Sequence, residues 1–167
     1  MEELIKKCKD LKVIVSVVDG VITDGLIPID ELQNTLFKNY CLRDFEVINE
    51  IKKMFKFIFI SSDNSVSYNL FRARNIPFYY APKDKVRVLT DIMRKYGVKP
   101  DNIMYVGTSY SDLECMHLSE VSFCTKDSPV TVNHAADYML PVRAGRGVLC
   151  ELYEILKHVV KESNLTN

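Results

Sequence analysis

Asp19 closes the apolar run "VIVSVVDG" (13–20), so a β-branched stretch ends on a carboxylate followed by Gly20. A strand that is buried along its length and tipped with an acid places that acid at the rim of a sheet, where acid–base chemistry, metal binding or nucleophilic attack can occur. Three more polar clusters follow apolar runs: "SSDNS" from Ser61, "PKDK" ending at Lys85, and "VGTSYSD" ending at Asp112. In an open parallel sheet, ligands bind in the crevice beyond the carboxyl ends of the strands, so these four clusters are the candidate site. Each also has a plainer reading. "SSDNS" suits a helix N-cap through Ser62, Asp63 and Asn64, and Lys85 suits a solvated helix start. Asp112 lies in the first turn of a helix that Ser111 and Glu114 would close as a capping box.

The elements that must position these clusters follow from hydropathy. Six short apolar runs, "LKVIVSVV", "KFIFIS", "IPFYY", "NIMYV", "VSFC" and "DYML", alternate with amphipathic segments, and several are too continuously apolar to be half exposed. The pattern predicts an α/β fold with a parallel sheet covered by helices on both faces. Leu89, Ile92, Met93 and Tyr96 recur at helical spacing before Gly97, a C-cap. Val148, Leu149, Leu152, Ile155, Leu156 and Val159 form one stripe of a last helix, after which "KESNLTN" is expected to fray. Between the first two strands, about residues 24–40 carry two apolar pieces around a polar turn and read as a β-hairpin, with Pro28 at an edge position. The 167 residues suit one domain, 1–167.

The order of the clusters resembles the haloacid dehalogenase superfamily of phosphohydrolases, a Rossmann-like fold. "DGVITDG", "LRD", "YVG" with the following "D..CM", and "AGRG" are similar to its subfamily of 3-deoxy-manno-octulosonate 8-phosphate phosphatases and to the related domain of sialic acid cytidylyltransferases. The resemblance covers roughly residues 10 to 160. It implies that the first cluster should read acid, variable residue, acid, glycine, the first acid attacking phosphorus and the second acting as acid and base. Asp19 matches the second acid, while Val17 stands at the nucleophile position. Ser61 and Lys85 match the hydroxyl and the ammonium that hold phosphate. In the fourth cluster Thr108 and Ser109 stand where the family has adjacent aspartates, leaving Asp112 as the remaining metal-site acid. The match places Arg43 and Arg146 near the substrate opening, with a salt-bridged turn and a helix start as their plainer readings.

Valine offers no lone pair to attack phosphorus or to bind a cation, so the expectation is an inactive, phosphatase-like protein in which Asp19 and Asp112 are vestigial. No cofactor is expected. Two alternatives stay open: an active sugar-phosphate phosphatase, which would need Mg2+, and a regulatory partner of a sialic acid or octulosonate pathway enzyme. In the inactive reading the protein acts by oligomeric assembly or by binding an anionic sugar phosphate, with Gly20, Ser61, Lys85, Arg43 and Arg146 as the ligand-binding residues. Lys plus Arg and Asp plus Glu are 22 each, which gives no field for nucleic acid or an anionic membrane. With no apolar span and five scattered cysteines, the protein is expected to be cytoplasmic, its thiols reduced and mostly buried. The three histidines are read as surface or packing residues. The gaps around Ser61 are too short for a cap domain. Capless members of the resembling subfamily cover the site with neighbouring chains, so a homotetramer joined through the hairpins is expected.

Overall fold

The computed structural model describes residues 2–62 and 66–165. After a short helix α1 (Glu2–Lys7) come β1 (Val13–Val17), α2 (Leu42–Met54), β2 (Lys56–Ser61), α3 (Val66–Ala73), β3 (Phe78–Tyr80) and α4 (Lys85–Tyr96). Then follow β4 (Ile103–Val106), α5 (Leu113–Leu118), β5 (Val121–Thr125), α6 (Val130–Ala135), β6 (Tyr138–Leu140) and α7 (Val148–Leu165). All six apolar runs are strands of one sheet in the order β3-β2-β1-β4-β5-β6, and every pairing is parallel. β1, β4 and β5 are buried at every residue, as runs without polar alternation require. The helices form two packed groups: α2 and α1 lie against α7, and α4, α5 and α6 pack in series. Burying both faces of such a sheet takes one group on each side, an arrangement that right-handed crossovers produce when strand order reverses.

That reversal occurs at β1, which pairs Val17 with Ile60 of β2 and Ser16 with Val106 of β4. The connections leaving β1, β2 and β4 therefore diverge around one crevice. Gly97 ends α4 in the left-handed conformation at φ 62°, as its C-cap role requires. The last helix does not fray at residue 161; it continues to Leu165.

The 24–40 excursion has hairpin topology, but only two isolated antiparallel bridges hold it, Thr23 to Tyr40 and Ile29 to Thr35. Its tip is organised by the Asp30 carboxylate, which accepts from the amides of Leu32 and Asn34, with Gln33 at φ 64°. A ladder needs amides on both arms and a face to bury. Pro28 has no amide to give, and Leu26, Ile29, Leu36 and Phe37 are more than half exposed.

Candidate functional site

The crevice at the carboxyl ends of β1, β2 and β4 has a volume of about 350 Å3, and Val17, Asp19, Gly20, Ser61, Lys85 and Thr108 all line it. The strand-tip clusters thus converge as their order predicts. Val17 is buried at the end of β1, two residues before Asp19, and contributes only methyl groups.

Asp19 is not free to act alone. Lys38, from the second arm of the hairpin, donates to both of its carboxylate oxygens at 2.8 and 2.9 Å. The Lys38 side chain is 1% exposed. Ser61 Oγ donates to Asp19 Oδ2 and Thr23 Oγ1 to Oδ1, each at 3.3 Å. Thr108 Oγ1 donates to the Asp19 carbonyl at 3.2 Å. Lys38 is a site residue that sequence reasoning missed: it lies 19 positions from Asp19 on an irregular segment, and no motif marks it.

Asp112 is fully buried and equally committed. Lys85 Nζ reaches its Oδ1 at 2.6 Å and Ser111 Oγ at 2.9 Å. The Tyr105 hydroxyl donates to the same Oδ1 at 3.0 Å, and burial holds that phenol well above its ordinary pKa, so it stays a donor. Oδ2 accepts from the amides of Thr108 and Ser109 and from Ser109 Oγ. The capping box is therefore formed by Ser109 and Asp112, not by Ser111 and Glu114. Its register slips because a 3-10 turn over Tyr110–Asp112 precedes α5. Of the proposed cap "SSDNS", Asp63 and Asn64 lie outside the described residues.

Arg43 and Arg146 do not line the crevice. Both are exposed. The loop that carries Arg146 reaches the site through Ala144, and Gly145, at φ 66°, packs it closely against Val21 and Asp24. The Gly145 amide donates to Val21 at 2.9 Å, and a Cβ there would meet the Asp24 amide nitrogen at 2.7 Å. The neighbour of Arg43 has a different role: Asp44, fully buried, accepts at Oδ1 from the amides of Leu149 and Cys150 and so caps α7. Among the described residues, no geometric hydrogen bond reaches its Oδ2.

Burial raises the Asp44 pKa above its usual 3.8, although the two amides pull it down. A carboxyl with a raised folded-state pKa stabilises the fold below its unfolded pKa and loses that contribution as pH rises through the folded value. Asp44→Asn keeps an oxygen for both amides and removes the titration. Urea unfolding is expected to show this variant gaining stability relative to wild type between pH 4 and pH 7; a relative loss over that range would refute the burial account.

No cysteine is placed to act as a nucleophile in the crevice. Burial raises the Cys8 and Cys115 thiols to about 12 and those of Cys124 and Cys150 to about 11, so they remain protonated, and none lines the crevice. His117, His134 and His158 are exposed, in keeping with surface roles. A hard divalent cation also fits poorly. It needs several oxygen donors, yet Asp19 and Asp112 are tied to lysines, the other lining acids, Asp24 and Asp127, each accept from a backbone amide, and the position beside Gly107 is a threonine. Among the described residues, no group of three or more His, Cys, Asp or Glu is placed to hold a metal ion. Among them too, no helix is long and apolar enough to cross a membrane.

A parallel α/β sheet with its strand-tip clusters around a switch point matches a known class of protein. The family model for haloacid dehalogenase-like hydrolases matches residues 20–152, and the chain belongs to that family. Within it, the chain is 24% identical to the 3-deoxy-D-manno-octulosonate 8-phosphate phosphatase KdsC of Haemophilus influenzae, over 96% of this chain and 90% of that protein. A cobalt-bound structure of the Haemophilus influenzae phosphatase superposes with a TM-score of 0.86 at 24% identity, covering 94% of this chain and 93% of that one. The Moraxella catarrhalis phosphatase, solved with magnesium, phosphate and KDO, gives 0.85 at 20% identity over 95% and 92% of the two chains. These likenesses establish the KdsC-like fold without a cap domain.

Proposed function

We propose that this protein is a KdsC-like member of the family that lacks phosphoryl-transfer chemistry and acts by ligand binding and by assembly with copies of itself. The observation that carries this reading is Val17, whose methyl groups line the crevice two residues before Asp19. Attack on phosphorus needs a lone pair at that point, and rate enhancements of many orders of magnitude do not survive its removal when the remaining acid is already clamped by Lys38. The donor set argues equally against a magnesium-dependent mechanism.

A second reading is a working phosphatase of keto-deoxy sugar acid phosphates. The names of the relatives favour it, and so does the presence of Asp19, Ser61 and Lys85 in one crevice. A third role, as a partner of an octulosonate or sialic acid pathway enzyme, is compatible with the first.

The assay that separates the first two uses p-nitrophenyl phosphate and a keto-deoxy sugar acid 8-phosphate over a range of Mg2+. Wild type is expected to show no turnover above background. Val17→Asp is expected to stay inactive, because Thr108 still supplies no second carboxylate. Metal-dependent turnover by wild type that disappears in Asp19→Ala would establish the second reading instead.

A further inference from the structure

We infer that the chain carries a second binding site, for a small organic anion with an apolar body, at the amino ends of β1 and β2, the end of the sheet opposite the crevice. A cavity of about 480 Å3 opens there, within the range of small-molecule sites, about 300–1,000 Å3. Lys12, Lys52, Lys53 and Lys56 line it, and among the described residues no carboxylate does. In a chain whose basic and acidic residues balance at 22 each, these four ammonium groups are a local excess of positive charge. The rest of the lining is mostly apolar: Leu11 and Phe57 are buried, and Phe55 and Pro77 are half-buried.

Part of this charge has a structural use. Lys52 and Lys53 lie in the last turn of α2, where cations complement the helix dipole. Lys52 also donates to the Asn75 carbonyl at 3.0 Å, and Lys53 pairs with Glu50. Lys12 and Lys56 have no such use. They stand at the paired starts of two parallel strands, where the Lys56 amide donates to the Lys12 carbonyl at 2.9 Å and Lys56 is in register with Val13. Both are exposed. Among the described residues neither makes an ion pair, although Lys56 lies 5.1 Å over the Tyr96 ring.

Like charges on neighbouring strands repel, and a bound anion relieves that repulsion. Asn75 adds a neutral donor to the same cavity. It holds the turn after α3 at φ 51°, and its side-chain amide makes no hydrogen bond among the described residues. Ammonium groups are point charges that accept a phosphate, sulfate or carboxylate head alike. The apolar lining beside them supplies area for a ring or chain. The site is independent of the reading of the crevice, since none of its lining residues lines both cavities.

Titration with 1-naphthalenesulfonate at low ionic strength, followed by backbone amide shifts in NMR, tests this with an anion that phosphatase chemistry cannot turn over. Saturable shifts are expected at residues 52–57 and 75–77. Inorganic sulfate and 1-naphthalenemethanol are each expected to bind at least about ten-fold more weakly, because one lacks the apolar half of the ligand and the other the charge. Lys12→Gln with Lys56→Gln, both at exposed positions, is expected to keep the fold and weaken the sulfonate about two- to thirty-fold, the range for two solvated charge contacts. Shifts centred on the crevice or the hairpin, equal binding of 1-naphthalenemethanol, unchanged affinity in the double variant, or no saturable shift would each overturn the inference.

Discussion

Asp112→Ala is expected to lower the unfolding free energy by about 3–5 kcal/mol, the range for removing one partner of a buried ion pair. The side chain is fully buried and satisfies the Lys85 ammonium, the Tyr105 hydroxyl, two amides and the Ser109 hydroxyl. Alanine would strand all of these, and the Lys85 side chain, only 13% exposed, has little water to turn to. For a domain of this size the loss corresponds to a melting temperature lower by roughly 6–20 °C. Asp112→Asn retains an acceptor for the amides and should cost less. The double variant Asp112→Ala with Lys85→Ala should cost less than the sum of the single changes, because neither charge is then left alone. If Asp112→Ala unfolds in urea within 1 kcal/mol of wild type, the carboxylate is not the structural hub that its contacts describe.

This commitment of Asp112 to the fold bears on how the site was legible. The strands were readable because burial on both faces leaves no polar alternation, and "KFIFIS" cannot be anything but an interior element. Asp19, Ser61, Lys85 and Thr108 were readable because strand tips in a parallel sheet converge whatever the sequence between them. What local pattern does not carry is the partner of each group. Lys38 meets Asp19 only through the path of an irregular hairpin, and Asp44 caps a helix 105 residues away. The "RD" pair therefore looked like a feature of the site opening, whereas its acid is a structural cap. The hairpin was legible as a turn between apolar arms, but its sparse pairing was not. Pairing depends on what covers the arms, and within the chain nothing forces them into a ladder.

Covering those arms is the task of the proposed homotetramer, and the variant Leu26→Asp with Phe37→Asp is expected to dissociate it to monomers. Leu26 is 73% exposed and Phe37 53%, with Ile29, Leu32 and Leu36 also more than half exposed along the same excursion. A monomer rarely leaves so many large apolar side chains together on one projecting segment. The second arm is anchored at Lys38, whose ammonium is held by Asp19 beneath it, so the apolar residues are presented on a fixed base. Burying apolar surface contributes roughly 25 cal/mol per Å2, and a charge placed in such an interface reverses the gain without touching the core. Because both positions are exposed within the chain, the variant's own fold should change by no more than about 0.5 kcal/mol. Light scattering should read four chains for wild type and one for the variant, with circular dichroism and the melt of the α/β core retained. A wild-type monomer at micromolar concentration would reject the assembly and leave the exposed hairpin without a function.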